Sequence, residues 1–389
     1  MTSFKSKRLE QIPPYLFALI NKKKAELIKS GVKVIDLGIG DPDLPTPKHI
    51  VAKLVEEMNN PANFRYPDYS GCWEFREAVA DFYRRQYQVE LDPETEVLAL
   101  IGSKEGIAHL IPALTDPEDY VLIPDPSYSV YRMATLLANG KPFMMPLKEE
   151  NNFQPVFEDI PEDVLKQAKL MFLNYPGNPT AATVDLPFFQ KAIDFAKEHQ
   201  FPIAHDSAYN MVTFDGYKAP SILQVKGAKD IAVEFGSLSK TYNMTGWRIG
   251  YAVGNKEILK SLSIVKGNTD TGQFIPIQKA AAFALQSNQT CIATHNLIYQ
   301  ERMDAVLNAL ETIGIAAKKP LASFFVWANV PQGFTSVDFV DRVLEQTGVI
   351  VTPGNAFGPS GEGYFRISLS VPTQQLNEAI DRIKEKIQL

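Results

Sequence analysis

Between residues 97 and 253 the chain repeats one pattern: a short apolar run, a cluster of turn residues, then a stretch with helical spacing. The runs are Val97 to Ile101, Tyr120 to Ile123, Leu170 to Leu173, Phe201 to Ala204, Ile231 to Phe235 and Ile249 to Val253. Helix-like segments such as Lys104 to Leu114 and Phe188 to His199 separate many of them. Runs this short and this apolar read as strands buried on both faces. Alternating with helices, they predict an α/β protein with a mostly parallel sheet sandwiched by helices.

The tail follows a different pattern. Leu297, Met303, Val306, Leu307, Leu310 and Ile313 fall at helical spacing, as do Leu376, Ala379, Ile380, Ile383 and Ile387, with strand-like pieces Ser323 to Val330 and Gly363 to Leu369 between them. A large domain over residues 41–284 is expected, with a smaller α+β domain built from 1–40 and 285–389.

Composition narrows the function classes. With 45% hydrophobic and 22% charged residues in 389, the chain has the balance of a globular protein with a large core. A net charge of -6 argues against a general binder of nucleic-acid backbones. Cys72 and Cys291 lie far apart without CxxC spacing, and the five histidines show no metal-ligand spacing, so no disulfide framework or metal site is expected. The apolar run Tyr15 to Ile20 is too brief for a membrane span, and the expected location is the cytoplasm without a membrane partner.

In a parallel sheet, ligands gather at the carboxyl ends of the strands. Polar residues recur there: Gly102-Ser103-Lys104, Asn174 to Asn178, Asp206, and Ser237 to Lys240. Lys240 offers an amine able to form a Schiff base with a carbonyl, while Ser237, Ser239 and Arg248 form a donor set suited to a phosphate. An aldehyde carrying a phosphate meets both needs, and pyridoxal 5'-phosphate is such a molecule. Its ring nitrogen calls for a carboxylate, supplied by Asp206; its ring oxygen calls for donors, supplied by Tyr209 and Asn178. Tyr128 in "PDPSYSVY" is an aromatic neighbour for the ring, and the backbone N–H groups of Ser103 and Lys104 open a helix toward the phosphate.

The segments "NYPGNPT", "HDSAY" and "SLSKTYNMTGWRIGYAVG", in that order, resemble the fold-type I, class I/II aminotransferases from residue 12 to the end. Within that family "YLFALI", "LGIGDPDLPTP", "RYPDYSG" and "GSKEGIAHL" are most similar to the branch acting on LL-2,6-diaminopimelate. The resemblance implies that Lys240 is the cofactor-linked lysine and the proton-transferring base, with Asp206 and Tyr209 completing the catalytic set. It implies that Ser103, Lys104, Ser237, Ser239 and Arg248 hold the phosphate, and that Tyr66 reaches the phosphate of a neighbouring subunit in a homodimer with shared active sites. Arg366 in "FRISLS" is implied as the α-carboxylate anchor, beside the Gly40 backbone and the Asn178 amide. Tyr15 and Lys104 match positions that contact the distal end of substrate. Where the family commonly reads Asn-Pro-x-Gly, this chain has Asn178-Pro179-Thr180-Ala181; if that position needs a positive φ, alanine strains the turn.

The implied reaction is a ping-pong transamination between an amino acid and a 2-oxo acid, with LL-diaminopimelate/tetrahydrodipicolinate and glutamate/2-oxoglutarate as the pair, a step in lysine synthesis. Alternatives on the same fold are an aspartate, alanine or aromatic aminotransferase, a C–S β-lyase, or a cofactor-binding regulator without turnover. A nicotinamide dehydrogenase is poorly supported, because "LGIGDPD" lacks the third glycine and helix opening of the dinucleotide fingerprint.

Overall fold

A computed structural model describes residues 4–12, 24–29 and 31–387. Strands β1 (Val97–Leu100), β2 (Tyr120–Asp125), β3 (Lys141–Pro146), β4 (Ala168–Asn174), β5 (Ile203–Asp206), β6 (Ala232–Ser237) and β7 (Gly250–Gly254) form a seven-stranded sheet in the order β1-β7-β6-β5-β4-β2-β3. The β6–β5, β5–β4, β4–β2 and β2–β3 pairs are parallel, whereas β7 runs antiparallel to both β1 and β6. This is the expected mostly parallel α/β sheet. Strand β3 was not among the expected runs: Pro142 and Pro146 interrupt its pattern, and it survives as a strand because it lies at the sheet edge, where a missing N–H is tolerated.

Alternation along each strand feeds two separate cores. Val97 and Ala99 pack on one face with helices α1 (Trp73–Tyr87), α4 (Leu186–His199) and α6 (Ile275–Gln286). Leu98 and Leu100 pack on the other, against α2 (Ser103–Leu114), α3 (Val130–Leu137) and α5 (Lys256–Thr269). Because both faces are covered, no polar face breaks up the strand runs, and the sequence shows them as near-continuous apolar blocks.

A third apolar cluster lies elsewhere in the chain. It joins Ile35 and Leu37 to helices α7 (Thr290–Thr312), α8 (Ser336–Thr347) and α9 (Thr373–Lys386) and to an antiparallel sheet of β8 (Phe325–Asn329), β9 (Thr352–Pro353) and β10 (Tyr364–Ser368), ordered β9-β10-β8. Ile35–Asp36 pairs in parallel with Val349–Ile350, so residues near the start of the chain pack with its end. Ala208, Tyr209, Val212 and Phe214, which follow β5, also enter this cluster. Among the described residues no helix is long and apolar enough to cross a membrane.

The reversed direction of β7 positions the site. Gly250, its first residue, pairs with Leu100 of β1 and Ser237 of β6, so the segment entering β7 lies at the edge where the other strands end. Arg248 therefore arrives beside the chain ends that carry Ser103 and Ser237.

Candidate active site

A cavity of about 1140 Å³ opens at this edge and continues to the third apolar cluster. Lys240 stands on its wall, on the single helical turn Leu238–Thr241 that follows β6. Its Nζ donates to the Gly40 carbonyl at 2.8 Å and lies 5.6 Å from the centre of the Phe324 ring. Burial lowers the amine to about 8, assisted by the positive charges of Arg248 and Arg366 and opposed by Asp41. At pH 7 about a tenth of such an amine is unprotonated and available as a nucleophile or base, against far less for an ordinary lysine.

Asp206 ends β5 and is buried on the same wall. Its Oδ2 accepts the Tyr131 hydroxyl at 2.7 Å, and its Oδ1 has no hydrogen-bond partner. Burial raises the carboxyl above its ordinary range, while the Tyr131 bond and the charge of neighbouring His205 pull the other way. Asn174 Nδ2 donates to the Asp206 carbonyl at 2.8 Å and so fixes this residue from β4. Tyr209 packs its ring edge-on to Phe324 and Phe325, with centroids 5.3 and 5.6 Å away. Burial pushes its phenol well up, so the hydroxyl stays a neutral donor.

Arg366, on β10, is buried, with its guanidinium between the rings of Phe325 at 4.1 Å and Phe357 at 4.6 Å. Nη1 donates to Asn178 Oδ1 at 2.6 Å and Nη2 to the Gly38 carbonyl at 2.6 Å, while Nε is buried without a partner. Burial lowers this group to about 10, which leaves it charged near neutrality. The Asn178 amide N–H is held in turn by Asn174 Oδ1 at 2.8 Å. Ala181, at the end of that turn, has φ +54°, so the left-handed conformation that favours glycine is held here by alanine. Gly40 lines the cavity, and a Cβ there would come 2.5 Å from Phe325 Cζ.

At the other end, Ser103, Lys104, Ser237, Ser239 and Arg248 line one stretch of the cavity. Ser103 is the first residue of α2, preceded by Gly102 at φ +80°. A Cβ on Gly102 would meet Arg248 Nη2 at 2.2 Å, so only glycine lets the guanidinium lie against this helix start. Ser237 Oγ accepts the Ser239 N–H at 3.3 Å, and Ser239 Oγ is buried without a partner. Tyr128 lines the cavity and meets Tyr131 edge-on at 6.0 Å.

Two expected residues fall elsewhere. Tyr66 is 87% exposed on the surface and does not line the cavity. Tyr15 lies outside the described residues. The residues that sequence reasoning passed over are Tyr131 and the rings of Phe324, Phe325 and Phe357; Asn174, expected only as part of a polar strand end, holds Asp206 and Asn178. Tyr131 carried a usable signal: it follows Tyr128 by one helical turn in "SYSVY", and so shares a face with it.

Residues 32–383 match the family model for aminotransferase class I and II. The LL-diaminopimelate aminotransferase of Aquifex aeolicus is 54% identical over 379 residues, covering 97% of this chain and 98% of its own length. That of Moorella thermoacetica is 50% identical over 379 residues, covering 97% of each. Among solved structures, substrate-bound BacF from Bacillus subtilis matches with a TM-score of 0.95 at 38% identity, over 99% of this chain and 98% of its own.

Proposed function

The chain belongs to the class I and II aminotransferases, and on that premise we propose a pyridoxal 5'-phosphate enzyme exchanging an amino group between LL-diaminopimelate/tetrahydrodipicolinate and glutamate/2-oxoglutarate, a step in lysine synthesis. The names of its curated relatives support the diaminopimelate pair.

The observation that carries the cofactor assignment is a group of buried polar atoms without partners among the described residues, on one cavity wall: Asp206 Oδ1, Ser239 Oγ and Arg366 Nε. Buried polar atoms are ordinarily paired, so three unpaired ones around Lys240 fit a ligand with a ring nitrogen, a phosphate and an adjoining carboxylate. When bound, the cofactor supplies an electrophilic carbon for the amino nitrogen and a ring that accepts the charge left when the α-proton departs.

The chain's own residues do the rest. Arg366 binds the substrate α-carboxylate, and the Phe325 and Phe357 rings exclude water from that contact. Asp206 Oδ1 holds the proton of the ring nitrogen. Tyr209 and the Asn178 Nδ2 group donate to the ring oxygen, because Asn178 Oδ1 is already committed to Arg366. Ser237, Ser239, Arg248 and the N–H groups opening α2 take the phosphate. Tyr128 lies against the ring. With the cofactor bound, Lys240 Nζ would serve as the base that takes the substrate α-proton, as its lowered amine allows. Gly40 supports the carboxylate from the backbone, and Lys104 contacts the distal end of substrate.

Tyr66 serves a partner subunit in a homodimer, which accounts for Phe64, Tyr66, Tyr69 and Trp73 all being exposed along one stretch of chain. The separate apolar cluster of the C-terminal part supports a division into a large domain over 41–284 and a small one over 1–40 with 285–389. The proposed location is the cytoplasm.

The test is spectroscopic. Protein loaded with the cofactor is expected to be yellow, to lose that absorption in Lys240→Ala, and to complete a half-reaction with LL-diaminopimelate and glutamate but not with aromatic amino acids. A half-reaction with aspartate or aromatic substrates alone would reassign the substrate. A Lys240→Ala variant that retains a borohydride-reducible bond at another lysine would remove the central assignment.

A further inference from the structure

On the face of the sheet opposite Tyr131, five polar groups meet in a fully buried cluster that the mechanism above does not use. His205 and Glu234 are register partners on β5 and β6, and both are 0% exposed. His205 Nδ1 lies 2.8 Å from Glu234 Oε2, and His205 Nε2 lies 2.9 Å from the Tyr175 carbonyl. Glu234 Oε1 accepts the Tyr83 hydroxyl of α1 at 2.6 Å, and Oε2 accepts the Ile222 N–H at 3.0 Å. The Phe189 ring of α4 closes the cluster edge-on at 4.8 Å from the imidazole.

Donor and acceptor counting fixes most of the protons. A carbonyl oxygen only accepts, so Nε2 must carry hydrogen. Glu234 receives the Tyr83 O–H and the Ile222 N–H as well as the imidazole, and a carboxylate with several donors is held in its charged form. The remaining proton, between Nδ1 and Oε2, therefore resides on nitrogen. That makes His205 an imidazolium and Glu234 its buried counter-ion, with each removed from water.

Two active-site elements are tied to this cluster. Asp206 is the next residue along β5, and the His205 charge favours its ionised form. Tyr175 opens the turn whose later residue Asn178 holds Arg366 at 2.6 Å, so the His205 Nε2–H fixes that turn from behind the sheet.

We propose that His205 is a positioning residue of the active site: an imidazolium with hydrogen on both ring nitrogens, paired with Glu234, that anchors the Tyr175-to-Asn178 turn from behind the sheet. The functional consequence rests on the transaminase reading, but the protonation state does not. Among the described residues the titratable groups facing the imidazole are Glu234 and, around it, Tyr83, Tyr87 and Tyr251, with Asp206 adjacent in sequence; burial pushes all three phenols well up, so they stay neutral.

With only five histidines, nitrogen-15 labelling of the full-length protein resolves each ring. The His205 signals, assigned by their loss in His205→Gln, are expected to show hydrogen on both ring nitrogens. A bare nitrogen overturns the proposal whether or not the cofactor binds. The positioning role is read from two uncharged pairs. His205→Leu/Glu234→Gln removes the donor to Tyr175 while the Gln carbonyl still accepts from the Ile222 N–H and its NH2 donates to the Tyr83 hydroxyl, and should weaken amino-acid binding roughly tenfold with cofactor affinity little changed. His205→Gln/Glu234→Gln restores a donor to Tyr175 and should recover most of that loss. Wild-type amino-acid affinity in the leucine variant overturns the positioning role; if that variant fails to fold, the ring-nitrogen measurement on the unaltered protein still decides the charge.

Discussion

Tyr131 donates its hydroxyl to Oδ2 of Asp206 at 2.7 Å, and the result is a buried carboxylate with one oxygen committed and the other without a protein partner. The tyrosine itself is fixed by its ring, stacked on Phe172 at 4.8 Å and 16°. The bond and the stack together set which carboxylate oxygen remains for a ligand.

Tyr131→Phe keeps the stack and deletes the bond. A hydrogen bond to a charged group contributes about 1.5–3 kcal/mol, so cofactor affinity should fall by roughly tenfold or more. Because the bond favours the ionised carboxylate, its loss raises an Asp206 pKa that burial has already raised. The acid limb of the pH–rate profile is therefore expected to move to higher pH. An unchanged limb would show that Asp206 does not govern it.

Arg366→Lys tests the fork between the two rings. Lysine keeps the charge but cannot reach Asn178 and Gly38 together with a bidentate carboxylate, nor stack flat between Phe325 and Phe357. Substrate KM is expected to rise about a hundredfold, equivalent to about 2.7 kcal/mol, with the cofactor spectrum retained. A change of less than about threefold would place the carboxylate elsewhere.

Gly102→Ala places a methyl group 2.2 Å from Arg248 Nη2 at a residue whose φ is +80°. The guanidinium must move away from the start of α2. Cofactor affinity should fall at least tenfold, a change of about 1.4 kcal/mol, and excess inorganic phosphate should compete less well, while the amino-acid pocket at the other end of the cavity is unaffected. Equal loss in both would point to a general collapse of the fold, which a melting curve would register.

Lys240 makes the stability of cofactor-free protein depend on pH. Its amine is lowered to about 8 in the fold, against about 10.5 in the unfolded chain. Below about pH 8 the amine is charged in both states and the burial penalty is fully felt. Between about 8 and 10.5 the unfolded chain binds more protons, so stability rises with pH through that window. Urea midpoints should show this rise in the parent and a smaller one in Lys240→Met; equal slopes in the two would mean that the lysine is not the titrating group.

Ala181 holds φ +54° with a buried methyl group. Glycine relieves about 1–2 kcal/mol of left-handed strain but gives up about 0.8 kcal/mol of methyl burial and adds entropy to the unfolded chain. These effects nearly cancel, so Ala181→Gly should shift stability by less than about 1 kcal/mol. Chemical denaturation showing a gain of more than about 2 kcal/mol would mean that the turn carries more strain than its dihedral implies.

Most of the strands, two of the three helices of the tail and the residues at the strand ends were legible in the sequence because each depends on local periodicity and on groups adjacent in the chain, whereas α8 (Ser336–Thr347) was not read. Lys240 with Ser237, Ser239 and Arg248 is one continuous segment, and Asp206 with Tyr209 is another. Tyr131 on Asp206 and His205 with Glu234 were not legible, since each joins side chains from different elements, and Asn178 beside Arg366 followed only from the family resemblance. Edge strand β3 escaped for a related reason: its prolines are acceptable only at a border that exists once the other strands have paired. Local propensity therefore selected the chemical groups, and tertiary packing decided which of their polar atoms were satisfied by protein and which were left for a ligand. That division follows from range: backbone conformation responds to near neighbours in sequence, whereas desolvation and hydrogen-bond satisfaction are set by whatever atoms the folded chain brings within about 3 Å.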